Sequence, residues 1–229
     1  MQRFQGFPPQ SLTFLSDLSS NNRRDWFLDN KDRYEDHVRL PALAFIEEMS
    51  PKLASISDQF NAIAKKTGGS LMRVYRDTRF SKDKTPYKTN IGIQFRHILG
   101  KDVHAPGFYV HIEPGECFIG AGIWHPESKT LAKIRDFITD NPSAWEKALA
   151  HKPFHKQFQL VGDSLKRPPK GYSADHPLIE DLKRKDFIAL KSFDCNKIES
   201  ARFTDFVSKS FIDTTPLMRY LCTAVEVNF

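Results

Sequence analysis

The chain has 229 residues, 40% hydrophobic and 27% charged, with 34 Lys and Arg against 28 Asp and Glu and a formal net charge of +6. This is enough apolar material for a sizeable core, and no apolar run approaches the roughly 18 residues that a membrane-spanning helix needs. The opening MQRFQGFPPQS lacks an apolar export segment, and Cys117, Cys195 and Cys222 stand far apart; both argue for a reducing, cytoplasmic setting and against a disulfide framework or a thiolate metal site.

Residues 1–9, ending in Pro8-Pro9, read as an extended lead-in. Ser11 suits the cap of a helix that turns Leu12, Leu15 and Leu18 inward, and Asn21-Asn22 ends it. Trp26, Phe27, Tyr34 and Val38 recur at helical spacing. Pro41 fits the first turn of a third helix with a stripe of Leu43, Ile46, Met49, Leu53 and Ile56. Pro51 interrupts that stripe and predicts a kink, or a restart capped by Ser50. Residues 1–60 are thus expected to be helical.

After Gly68-Gly69 the hydrophobic period shortens to two. Leu71–Asp77, Ile91–His97, Phe108–Glu113 and Cys117–Trp124 alternate and read as four strands, the last two joined by the tight turn Glu113-Pro114-Gly115-Glu116. One face collects Met72, Val74, Ile91, Ile93, Phe95, Val110, Ile112, Cys117, Ile119 and Ile123, a core face. The other collects Arg73, Tyr75, Asp77, Gln94, Arg96, Tyr109, His111, Glu113, Gly120, Gly122 and Trp124. Polar sheet faces are ordinarily solvated, but Gly120 and Gly122 remove side chains and leave room for a ligand against the strand. Beyond residue 125 the pattern is helical over Ser128–Asp140 and on through Ala150, basic and loop-like over 151–176, briefly helical over Pro177–Arg184, extended over Phe187–Ser192, then helical over Ile198–Phe211 and Pro216–Val227. The expectation is a single α+β domain over 1–229: a central antiparallel meander of about four strands in residues 70–125, covered by N- and C-terminal helices, with one late strand.

The densest chemistry lies in Arg73–Asn90, RVYRDTRFSKDKTPYKTN, where six cations face two anions within 18 residues. Arg73, Arg76 and Arg79 fall three apart. They read either as a guanidinium cluster for a phosphate or carboxylate, or as an ion-pair network in which Asp77 and Asp83 hold a long loop down. Lys84 and Lys88 flank Pro86, and Tyr87 either stacks on a ligand or packs to anchor the loop. For acid–base chemistry the candidates are His111 and Asp77. His111, Glu113 and His125 lack any familiar metal-ligand spacing, so no metal is assigned. GxSxG, Walker and GxGxxG motifs are absent, and no cofactor is indicated.

The pattern Arg73-x-x-Arg76-Asp77-x-Arg79-Phe80-x-x-Asp83-Lys84-x-x-Tyr87 resembles the signature of an uncharacterised family, a domain of unknown function found in bacterial proteins of about this length and in larger fungal proteins. Asp83 stands one place earlier than in that signature. Asn21-Asn22-Arg23-x-Asp25-Trp26-Phe27 and Gly120-x-Gly122-x-Trp124-x-Pro126 are similar to the family's secondary motifs, so the resemblance covers the whole chain. It implies a shared fold and no particular activity.

The functional expectation is a site for a phosphorylated or carboxylated small molecule, formed by Arg73, Arg76, Arg79, Lys84, Tyr87, Lys88, Tyr109 and Trp124, with catalysis left open. One alternative is a nucleic-acid module that adds Lys166, Arg167, Lys170 and Lys183 to Lys185, disfavoured because no RNA- or DNA-binding signature accompanies it. Another is a protein-interaction domain whose signature only maintains the fold.

Overall fold

A computed structural model provides the coordinates and describes residues 3–100 and 105–229. The chain begins with α1 (Gln10–Ser20), α2 (Arg24–Asp29) and α3 (Lys31–Tyr34), then a π-helical turn (Glu35–Arg39) that runs into α4 (Leu40–Ile56). Ser11 is not a cap: it lies inside α1, fully buried, and its hydroxyl donates to the His37 carbonyl. Nor does Pro51 interrupt α4, which continues past it. Phe45, Ile46, Met49 and Leu53 are fully buried on that helix. At roughly 1.5–3 kcal/mol for each large apolar side chain, that burial outweighs the roughly 3 kcal/mol cost of one interior proline.

Among the described residues, six strands form one antiparallel sheet in the order β1-β2-β3-β4-β6-β5. They are β1 (Phe60–Asn61), β2 (Ile91–His97), β3 (Gly107–Glu113), β4 (Glu116–Ile123), β5 (Gln159–Val161) and β6 (Phe187–Ser192). The β3–β4 hairpin turns at Pro114-Gly115, with Gly115 at φ +83° and Glu113 opposite Glu116. The late strand β6 pairs with β4 and adds β5 outside it.

The expected strand Leu71–Asp77 does not form. Only single bridges remain, Leu71 to Ile93 and Tyr75 to Tyr87. Met72 N–H donates to the Gly92 carbonyl at 2.9 Å, after which the chain leaves β2 and pairs with its own loop, Lys88 N–H to Val74 O and Arg76 N–H to Pro86 O. Pro86 has no N–H to return, so this short ladder stops there. The departure also turns Met72, expected in the core, toward the opposite face, while Leu71 is buried in its stead and Val74 is buried as expected.

Between β4 and β6, with β5 among them, lie α5 (Ser128–Asp140), α6 (Pro142–Leu149), α7 (Lys152–Gln157) and α8 (Ile179–Leu182). After β6 come a 3-10 turn (Cys195–Glu199), α9 (Phe203–Asp213) and α10 (Thr215–Ala224). Helix α4 packs on β2, and α9 and α10 pack on β4. They cover one face of the sheet, where Phe95, Phe108 and Phe211 meet at ring separations of 4.5 and 5.7 Å. Cys117 and Cys195 are joined in a disulfide with Cα atoms 5.4 Å apart, which corrects the expectation of unpaired cysteines; Cys222 is free and buried. No helix among the described residues is long and apolar enough to cross a membrane.

Candidate ligand-binding site

The other face of the sheet holds a cavity of about 380 Å³, within the roughly 300–1,000 Å³ typical of ligand pockets. Its floor is β3, β4 and β6, through Tyr109, His111, Phe118, Gly120, Ile188 and Leu190. Met72, Lys88 and Asn90 wall one side and Trp124 the other. The glycines shape this floor in two ways. Gly122, at φ +134°, lets β6 approach: a Cβ there would lie 2.0 Å from the Phe187 carbonyl oxygen. Gly92 lets the wall close over β2, since a Cβ there would meet the Tyr109 hydroxyl at 2.7 Å and the Met72 sulfur at 3.0 Å.

The polar groups of the cavity converge at the end where β2 begins. Tyr109 Oη lies 3.1 Å from His111 Nδ1, and His111 Nε2 lies 3.1 Å from Glu113 Oε2. Thr89 donates to the other Glu113 oxygen at 2.5 Å, and Asn90 Nδ2 reaches the Tyr109–His111 junction at 3.5 and 3.4 Å. Phe118 stacks on the His111 ring, 4.5 Å away and 5° from parallel. A neutral ring that donates Nε2–H to Glu113 accepts the Tyr109 proton at Nδ1. Burial pushes the Tyr109 phenol up to about 12, so it stays protonated at neutral pH.

Among the described residues, Lys88 is the one lysine or arginine of the lining. Among the described residues its ammonium has no hydrogen-bond or ion-pair partner. Burial, and then the neighbouring charge of Arg73, hold its pKa below the ordinary 10.5. A half-buried ammonium without a counter-charge is costly, and a bound anion relieves that cost.

The arginine row behaves differently. Arg76 bonds Asp83 and the Thr85 hydroxyl. Arg79 grips Asp77 with two bonds, at 2.7 and 3.0 Å. Lys84 Nζ donates to the Thr78 carbonyl at 2.8 Å. The Thr85 backbone N–H and then Arg76 pull Asp83 down to about 2, and Arg79 holds Asp77 well below the usual carboxylate range. Arg73 is exposed beside Lys88 and does not line the cavity; neither do Arg76, Arg79 or Lys84. Tyr87 is 4% exposed, stacked on Phe27 at 4.1 Å and 17°. The Asn22 amide clamps its backbone, accepting from Tyr87 N at 3.0 Å and donating to Tyr87 O at 2.8 Å.

Of the expected ligand contacts, the cavity therefore gathers Lys88, Tyr109 and Trp124, together with the acid–base candidate His111. Asp77, the other candidate, is held by Arg79 outside it. His125 sits apart from His111, its Nδ1 3.0 Å from Asp186 and its ring against Trp124 at 4.3 Å. Phe118, Ile188, Leu190, Met72 and Asn90 were missing from the expected site. Alternation carries a signal for three of them: Phe118 shares parity with Gly120, and Ile188 and Leu190 share parity along Phe187–Ser192.

No curated protein and no solved structure matches the chain. The profile of DUF2461, described as a conserved hypothetical protein, matches residues 10–220, which span both the clamped loop and the cavity, and the chain belongs to that family.

Proposed function

We propose that this protein binds a small organic anion, a carboxylate or phosphate on an apolar body, in the cavity over β3, β4 and β6. The observation that carries this reading is Lys88: an ammonium without a protein partner among the described residues, in a cavity whose lining also includes the apolar side chains of Met72, Phe118, Trp124, Ile188 and Leu190. The ammonium takes the ligand's oxygens, and the rings and aliphatic chains take its body. The Arg76 and Arg79 pairs hold the loop that delivers Lys88 and make no contact with the ligand.

Calorimetric titration with benzoate and phenyl phosphate tests this, with phenol and inorganic phosphate as half-ligands. Benzoate or phenyl phosphate binds, and binds more tightly than either half-ligand. Lys88→Met weakens that binding at least tenfold, about 1.4 kcal/mol. Gly120→Val, which places methyl groups over the floor, weakens it comparably. Failure of both probes to bind, or equal affinity in Lys88→Met, overturns the reading.

A further inference from the structure

We infer that the hairpin end beside the cavity is a binding site for one divalent transition-metal ion, held by His111 Nε2, Glu113 and Glu116, and that occupancy of this site reverses the hydrogen-bond chain leading to Tyr109. The donor atoms of the three residues lie within 4.8 Å of one another. Small side-chain rotations bring all three to the metal–ligand distances of about 2.1 Å that such ions require. The hairpin register creates the cluster, because Glu113 and Glu116 face each other directly across β3 and β4. Like charges in that position repel, and among the described residues neither forms an ion pair with a lysine or arginine.

The imidazole distinguishes this site from a turn that merely carries acids. It is 14% exposed, fixed between the Phe118 ring and the Tyr109 hydroxyl, with Nε2 directed at the carboxylates. Metal-binding histidines are ordinarily fixed in this way through their other nitrogen. One imidazole and two carboxylates favour a transition-metal ion over Mg²⁺ and leave coordination positions open. The sulfurs beside Glu113 are not free to compete, because Cys117 is bonded to Cys195, and Cys222 is buried.

The consequence for the cavity follows from proton bookkeeping on one neutral ring. Without metal, Nε2–H donates to Glu113, and Nδ1 accepts the Tyr109 proton. With metal on Nε2, the ring proton moves to Nδ1 and donates to Tyr109 Oη, with no net change in protons. The Tyr109 O–H is then released to donate into the cavity, toward the oxygens of an anion. Metal and anion should therefore bind with positive coupling; this second part rests on the reading under Proposed function, whereas the metal site does not.

Titration of the oxidised protein with Zn²⁺ tests the first part directly. One equivalent binds, Mg²⁺ binds far more weakly, and both Glu116→Gln and His111→Gln weaken Zn²⁺ binding at least tenfold at an unchanged circular-dichroism spectrum. Glu116 is exposed on a turn, so its variant keeps the fold. Absence of Zn²⁺ binding, or retention of full affinity in Glu116→Gln, overturns the site even if benzoate binds. Benzoate affinity is then measured with and without Zn²⁺. A several-fold gain that vanishes in Tyr109→Phe supports the reversed chain, and equal affinity overturns it. Zn²⁺ binding without benzoate binding in either state overturns the cavity reading and the coupling while leaving the metal site standing.

Discussion

Two cationic regions adjoin in this molecule, and they use charge in opposite ways. The loop from Arg76 to Thr85 is dense in cations, yet its guanidinium groups meet acids two to seven residues away, Asp77 and Asp83. Among the described residues, Lys88 is the one Lys or Arg in the cavity lining, and its ammonium has no partner there. On the proposed reading, charge density along a sequence is a poor locator of a binding site, because residues close in sequence neutralise each other first. A half-buried cation that pairs with no carboxylate among the described residues is the stronger sign, since its desolvation is left uncompensated. The loop's contribution is mechanical: it positions Lys88 and Asn90 over the sheet.

The largest expected effect comes from the anchor that joins the two regions. Phe27 is buried beneath Tyr87, and the Asn22 amide holds the same residue by its backbone. Phe27→Ala is expected to cost about 3–5 kcal/mol in urea denaturation, the usual range for a buried ring. It should also raise protease sensitivity across residues 77–88. A small loss, with the loop still protected, would mean that the loop is fixed by its own ion pairs and not by Tyr87.

A smaller effect follows from Lys88 itself. Burial and Arg73 lower its pKa below 10.5, and anion binding requires the protonated form. Benzoate affinity should therefore be full near neutral pH, where the ligand is ionised and Lys88 protonated, and fall as pH rises through that depressed value. Beyond it, the decline should approach tenfold per pH unit, and it should set in below the pH at which a solvated lysine titrates. An affinity flat up to pH 10.5 would place the anion elsewhere.

The sequence made some of this legible and hid the rest for physical reasons. The Glu113-Pro114-Gly115-Glu116 turn and the alternation on either side disclosed the β3–β4 hairpin, its core face and its glycine-relieved face, because a period of two leaves little freedom once a tight turn fixes the register. Leu71–Asp77 alternates as well, but whether such a segment becomes a strand depends on a partner, and past Met72 its partner is the loop of Tyr87 and Pro86. Cys117 and Cys195 are 78 residues apart in sequence; the β4–β6 pairing brings them together, and spacing alone does not reveal it. Lys88 was named, but only as one cation among several. Its isolation from carboxylates is a tertiary property.

The smallest expected effect is the one that separates the two regions most cleanly. Arg76→Ala removes the bonds to Asp83 and Thr85 on the outer side of the loop, where the Asp83 side chain is 57% exposed. Solvent screens an exposed pair strongly, so stability should fall only slightly, and benzoate affinity should stay within twofold of the parent. Acid is expected to do the same reversibly. The folded-state pKa of Asp83 is lowered from 3.8 to about 2, so its contribution is complete above about pH 4 and is lost as pH falls through 2. Amide exchange over residues 77–85 should therefore remain slow at pH 3 in the parent relative to Arg76→Ala, and the difference should close below pH 2. A tenfold loss of benzoate affinity in Arg76→Ala would instead join the arginine row to the ligand and erase the distinction between the regions.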